Sequence, residues 1–389
     1  MTGKVSHDYH PGVCDLCGSQ QTNVIMDKSL PRSMLGDNSI CAIVLRKIEC
    51  KQCGLVRAGY EFDADSLSSL YQFDYALNIN TEEYHFLTRQ GSVPRSKVIF
   101  DWMWDYLKAE DTSNIRKALE IGCGAGHLLT RFQSAFPQAH CLGTEFSEAA
   151  RKIAEAKGSR VMAGGIEEVQ STGFDLIYAL TVFEHIPHPG EFLQAIRERL
   201  FPGGILILAQ PTQDVPSSDI YFADHLHHFG TDHLSMYAKK IGFTEVVKTV
   251  GHPLMPNFSF HLWRRGESSG NYAFPGKTHC RESVAFHEAM YEQVNRLVDE
   301  IRFDPSRKLA VFGLNERFAL LRAYSRLGDA KIVCGLSDVE PNVQVDFPVV
   351  KPERVNEFSA TDVILCVNQI HQDFVRERLS PLGVTVHAV

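Results

Sequence analysis

The run Ala118-Leu-Glu-Ile-Gly-Cys-Gly-Ala-Gly-His-Leu-Leu129 constrains this chain more than any other. An apolar stretch ends in Glu120, glycines follow at 122, 124 and 126, and a helical pattern opens behind them. The pattern predicts a strand, a tight turn and a helix N-terminus. Glycine lets such a turn take positive φ and lets a ligand lie against bare backbone. The helix N-terminus behind it presents free N–H groups that suit an anion such as a carboxylate. A dinucleotide fingerprint wants Gly-x-Gly-x-x-Gly, and a phosphate loop ends in Gly-Lys-Ser/Thr. Here the spacing is Gly-x-Gly-x-Gly without lysine, so neither ligand is indicated. Taken alone, the turn also fits other doubly wound domains.

The residues downstream narrow that reading. Cys141-Leu-Gly-Thr-Glu-Phe-Ser147 predicts a second strand ending in Glu145, where an acid can accept from both ribose hydroxyls of a nucleoside. Ser147 is the expected cap of a helix over 148–157 that stops at Gly158. Residues 161–168 predict a third strand with its exit loop, 174–187 a fourth strand running into a loop, and 200–211 a turn and fifth strand. Upstream, the helix expected over 96–108 carries Val98, Ile99, Trp102 and Met103 on one face, a core stripe. Taken together, residues of about 96–265 resemble the class I S-adenosylmethionine-dependent methyltransferases. The resemblance implies an α/β, Rossmann-like core. It also implies that Glu120, Gly122, Cys123, Gly124, Gly126, Glu145, Phe146, Gly165, Ile166 and Leu180 hold the cofactor.

Two Cys-x-x-Cys knuckles precede this core, Cys14/Cys17 and Cys50/Cys53, each followed directly by glycine. Four thiolates in two such turns suit tetrahedral Zn²⁺ in a closed, structural site. Two unrelated thiol pairs are the alternative reading. The N-terminus shows no apolar signal segment and no run reaches membrane-spanning length. With 10 cysteines in such a chain, metal ligands and thiols are expected rather than disulfides, and the cytoplasm is the expected compartment. The net charge of -8 argues against nucleic acid as partner.

At 389 residues the chain should hold two or three domains. We expect a zinc-binding module over 1–70, the core over 71–265, a linker and helix over 266–306, and a smaller C-terminal Rossmann-like domain over 307–389. That final domain is read from strands near 308–314, 331–338, 361–368 and 384–389.

After the fifth strand the chain reads Asp219-Ile-Tyr-Phe-Ala-Asp-His-Leu-His-His-Phe-Gly230. In a parallel sheet this loop follows a strand's carboxyl end, the edge where open α/β sheets bind ligands. A helix follows, with Thr231 as expected cap and Gly242 just past its end. We read His227 and His233 as loop-packing or surface residues and His225 as the candidate for chemistry. A metal site at His225, His227 and His228 is disfavoured, because adjacent side chains point apart.

The three-part layout resembles the sugar C-methyltransferases, which methylate a ring carbon beside the keto group of nucleotide-linked deoxysugars. Their loop here commonly reads Tyr-x-Glu-His-Leu. In this chain His225 matches the histidine, Asp224 replaces glutamate and Phe222 replaces tyrosine, with Tyr221 adjacent. A carbon nucleophile needs a base and a donor for the enolate oxygen. The resemblance implies His225 as base, oriented by Asp224, with His185, Tyr75 or Tyr221 as donor. The expected partner is a small molecule, a nucleotide-linked sugar. Two alternatives stand beside this reading: O- or N-methylation of a related small molecule, and a non-catalytic cofactor-binding protein.

Overall fold

The computed structural model describes residues 8–63, 65–66, 70, 83–88, 91–110, 112–267, 274, 278–339, 341 and 343–389. They form two compact units. The first comprises Met1–Met26, Arg46–Ile220 and His225–Arg281, and the second Asp27–Leu45, Tyr221–Asp224 and Glu282–Val389.

The first unit is built on seven strands: β1 (Lys117–Ile121), β2 (His140–Glu145), β3 (Val161–Ala163), β4 (Phe174–Leu180), β5 (Leu200–Pro211), β6 (Phe243–His252) and β7 (Met255–Arg265). Their order is β3-β2-β1-β4-β5-β7-β6. β1 to β5 run parallel, and β7 runs antiparallel to both of its neighbours. β4, Phe-Asp-Leu-Ile-Tyr-Ala-Leu, is an almost unbroken apolar run because helices cover both faces of the sheet.

Five helices do the covering: α1 (Arg95–Leu107), α2 (His127–Ala135), α3 (Glu148–Ala156), α4 (Pro189–Arg199) and α5 (Thr231–Ile241). One face buries Val98, Trp102, Leu128 and Phe132 from α1 and α2. The other buries Leu193 and Ile196 of α4 and Leu234 and Tyr237 of α5. Each such side chain contributes roughly 1.5–3 kcal/mol by leaving water. Ser147 caps α3, its hydroxyl accepting from Ala150 N at 3.3 Å. The cap of α5 is Gly230 rather than Thr231. Asp214 accepts the Thr231 N–H at 2.9 Å, so the threonine is not needed as cap and becomes the first helical residue.

A second sheet in this unit has the order Thr22–Asp27, Arg46–Cys50, Val56–Ala58, His227–His228. The segment that carries the two Cys-x-x-Cys turns therefore takes up part of the loop after β5 as its own edge strand, pairing Arg57 with His227 and Val56 with His228.

The second unit holds a five-stranded parallel sheet of β8 (Leu309–Phe312), β9 (Ile332–Leu336), β10 (Val349–Val350), β11 (Asp362–Leu365) and β12 (Thr385–Ala388), in the order β10-β9-β8-β11-β12. Helix α6 (Cys280–Phe303), α7 (Glu316–Tyr324) and α8 (Gln369–Leu379) accompany it. The units cut across the boundaries expected from sequence. Residues 27–45 leave the N-terminal module for the second unit, where the Arg32 guanidinium donates to Ala323 O at 3.0 Å and to Asp329 Oδ1 at 2.8 Å. Most of α6, expected between domains, belongs to that unit as well. Among the described residues, no helix is long and apolar enough to cross a membrane.

Candidate active site

Gly122, Gly124 and Gly126 follow β1 with φ of 69°, 52° and 74°. A Cβ on Gly122 would stand 2.6 Å from Val182 Cγ2, and one on Gly126 2.8 Å from Ala154 Cβ. Both the conformation and the space exclude a side chain. Glu145 closes the turn from the neighbouring strand: Oε2 accepts from Gly124 N at 2.9 Å and Oε1 from Ser147 N at 2.8 Å. Burial pushes its carboxyl up, and these backbone donors oppose the shift. Each carboxylate oxygen keeps a second lone pair, so ribose hydroxyls can still be accepted. Phe146 packs beside Gly165, where an added Cβ would lie 3.4 Å from the ring. Cys123 donates its N–H to Thr144 O at 2.9 Å, and Leu180 ends β4.

Two further residues expected at the cofactor are buried. Ile166 is fully buried in the core under α4 and α5. Glu120 lies inside the protein, where burial raises its carboxyl well above the usual range and the Tyr178 hydroxyl donates to it at 3.2 Å. Thr181, next to Leu180, takes φ 52° without being glycine, strain at the carboxyl edge of β4 that no sequence signal announced.

Beside this edge lies a histidine cluster. His225 is buried, and its Nδ1 bonds the carboxylate of Asp219, not of Asp224. Asp224 falls in the second unit, where its Oδ1 accepts from Gly36 N at 2.9 Å. The turn over Ser218–Tyr221 brings Asp219 back to the ring. Asp219 Oδ2 also receives His228 Nδ1 at 2.6 Å and Gln213 Nε2 at 2.9 Å. Burial pushes Asp219 up, but the two imidazoles outweigh it and hold the carboxyl well below the usual range. Burial lowers His228 to about 4.

His185, in the turn after β4, stands with its ring perpendicular to that of His225 at 4.7 Å. Glu184, His185 and His225 bring donor atoms within 4.8 Å of one another. Tyr221 belongs to the second unit, where its hydroxyl donates to Glu288 at 2.8 Å, so it serves that unit's packing. Tyr75 lies outside the described residues. His233 is a packing residue, bonding Cys53 O at 2.9 Å and accepting from Gly230 N at 3.1 Å. His227 is buried too, its ring edge-on to Tyr9.

The segment that carries the four cysteines holds this loop. Lys47, buried on the strand that leads into Cys50, donates to His225 O at 2.8 Å. Ala58 N donates to Leu226 O at 2.8 Å. The four cysteine sulfurs gather within 4.8 Å of one another, with Cys14 and Cys53 at 3.6 Å and Cys17 and Cys50 at 3.5 Å. Sulfurs in a tetrahedron about 2.3 Å from one ion stand about 3.8 Å apart, so this spacing fits Zn²⁺. Burial pushes the Cys17 thiol up to about 11, and a cation between the sulfurs is what would hold them as thiolates.

Residues 95–248 match the family profile described as a methyltransferase domain. Over these residues the chain carries a methyltransferase domain. The curated relatives it resembles include the trans-aconitate 2-methyltransferase of Deinococcus radiodurans, 29% identical over 119 residues, 30% of this chain and 46% of that protein. The tRNA U34 carboxymethyltransferase of Alteromonas mediterranea is 25% identical over 201 residues, 45% of this chain and 59% of that protein. The malonyl-[acyl-carrier protein] O-methyltransferase of Haemophilus ducreyi is 31% identical over 112 residues, 26% and 43%. The chain thus spans about half the length of the curated relatives it matches. Among solved structures, the plantazolicin methyltransferase with bound SAH covers 44% of this chain and 84% of its own, at 16% identity and a TM-score of 0.38. The methyltransferase domain carries the glycine turn, Glu145, His185 and His225 within its matched residues.

Proposed function

We propose that this chain moves a methyl group from S-adenosylmethionine to an acidic carbon beside a ketone of a small molecule, with nucleotide-linked keto-deoxysugars as the acceptor class. The observation that carries the reading is His225, a buried imidazole backed by a carboxylate, on the loop that leaves the carboxyl edge of β5. When bound, the cofactor supplies an electrophilic methyl group on a sulfonium. The glycine turn and Glu145 bind and orient it, and much of the rate comes from that positioning. His225 takes the proton α to the ketone, so the C–H pair becomes the enolate and later the new C–C bond. His185, its ring 4.7 Å from that of His225, donates to the enolate oxygen. The cluster is buried, which keeps water from competing for the base. Zn²⁺ at Cys14, Cys17, Cys50 and Cys53 is structural and steadies the loop that carries His225.

The names of the relatives point to other acceptors. A carboxylate acceptor such as trans-aconitate is already an anion at neutral pH, and a buried histidine–carboxylate pair would have no proton to remove. An RNA acceptor sits poorly with a net charge of -8. The test supplies S-adenosylmethionine with separate pools of nucleotide-linked 4-keto-deoxysugars, free carboxylic acids and tRNA, followed by mass spectrometry. A new C–CH₃ group on a keto sugar is the expected result. Methyl ester formation, or methylation of RNA alone, would overturn the proposal.

A further inference from the structure

We propose that Asp219 is the positioning residue of this site and that it acts by deciding which nitrogen of His225 carries the proton. The inference rests on the reading of His225 as base. Asp219 is almost fully buried in the turn over Ser218–Tyr221, and its own N–H donates to Ser217 Oγ at 3.2 Å. Its Oδ1 meets His225 Nδ1. Its Oδ2 meets two groups, Gln213 Nε2 at 2.9 Å and His228 Nδ1 at 2.6 Å.

An ionised carboxylate can only accept, so every group facing it must donate. His225 therefore holds its proton on Nδ1, and Nε2 is the nitrogen with the lone pair. When Nε2 takes the substrate proton, the resulting imidazolium faces a fixed negative charge, as in Ser-His-Asp sites. His228 sharpens the argument. It is bound to the same carboxylate as a Nδ1 donor and loads the second oxygen, leaving Oδ1 to His225.

That uneven loading makes a directional test. In Asp219→Asn the side chain has one oxygen and one NH₂. The oxygen settles on the side with two donors, Gln213 and His228. The NH₂ then faces His225 Nδ1, which must become the acceptor, and the ring proton moves to Nε2. The base is lost although no ring and little volume has changed. In Ser-His-Asp enzymes the same exchange lowers turnover about 10⁴-fold by the same wrong-tautomer route.

The experiment labels the full chain with ¹⁵N-histidine and reads ring tautomers from two-bond ¹H–¹⁵N correlation spectra, with His225 assigned through His225→Asn. Cofactor affinity is measured by calorimetry, and deuterium wash-in at the acceptor's α position gives the proton-removal rate. Wild type is expected with the proton on Nδ1. Asp219→Asn is expected with it on Nε2, with unchanged cofactor affinity and wash-in slowed by about 10²–10⁴-fold. A wild-type His225 protonated on Nε2 overturns the proposal, and this reading stands even if the variant fails to fold. An Asp219→Asn protein that keeps the Nδ1–H form, or exchanges as fast as wild type, also overturns it. If the tautomers behave as expected but no acceptor exchanges in wild type, the placement by Asp219 is supported and the base reading fails.

Discussion

Replacing Lys47 with methionine probes the link between the cysteine-bearing segment and the loop that carries His225. The Lys47 ammonium is buried and donates to the carbonyl of His225 at 2.8 Å. Methionine keeps the reach and apolar stem but removes the donor. A hydrogen bond from a charged group contributes roughly 1.5–3 kcal/mol. Removing a buried ammonium also relieves its desolvation cost, so global stability can stay level while the loop loosens. If the lost energy falls on the placement of His225, it corresponds to about a 10–150-fold lower rate at 1.36 kcal/mol per decade. Urea unfolding would report global stability, and deuterium wash-in at saturating cofactor would report the His225 step. Unchanged urea stability with wash-in as fast as wild type would refute the claim that this strand holds His225. A loss of global stability without faster amide exchange confined to 225–228 would refute it as well.

The remaining predictions concern the metal, the cofactor turn and acid stability. The purified chain should carry one zinc per molecule, and Cys17→Ser should lose it and expose the 227–228 strand to amide exchange, because that strand pairs with Val56 and Arg57 beside the knuckle. A second metal equivalent that disappears in His225→Asn would show Glu184, His185 and His225 to be a metal centre and would sink the base assignment. Gly126→Ala should lower cofactor affinity and thermal stability together, since φ is 74° and the new Cβ would meet Ala154 at 2.8 Å; the backbone term alone costs about 1–2 kcal/mol. Unaltered calorimetric affinity would contradict this. His261, buried on β7, is lowered by burial to about 3, so the unfolded chain binds a proton there that the folded chain refuses. Its stabilising contribution is complete above the unfolded value of about 6.5 and is lost as pH falls toward 3. His261→Leu should therefore reduce the fall in stability over that window by up to about 1.4 kcal/mol per pH unit. An unchanged slope in chemical denaturation would refute it.

The core was legible because its signals are local. Gly122, Gly124 and Gly126 announce a turn that only positive φ can make, and the apolar runs of β4 and β5 announce strands covered on both faces. The four cysteines were legible because two tight turns were the whole geometry needed. The partner of His225 was not. Asp224 is adjacent in sequence, yet the carboxylate that reaches the ring is Asp219, turned toward it across six residues by a short 3-10 turn. Tyr221 looked like a donor beside the loop, but its hydroxyl belongs to Glu288. Unit boundaries were hidden for a related reason: residues 27–45 and 221–224 join the C-terminal unit by contacts distant in sequence, and no change of composition marks them. Nor did the motif show that the Glu120 carboxyl is buried and accepts from the Tyr178 hydroxyl.

The most direct measurement incubates wild type and His225→Asn with S-adenosylmethionine and a nucleotide-linked 4-keto-deoxysugar in D₂O, and follows deuterium and methyl incorporation by mass spectrometry. The account predicts deuterium entering unreacted sugar beside the carbonyl, and a carbon-bound methyl group, with wild type alone. The His225→Asn protein should still bind the cofactor. Methylation by both proteins, or methylation by wild type without deuterium entering the α position, would contradict it.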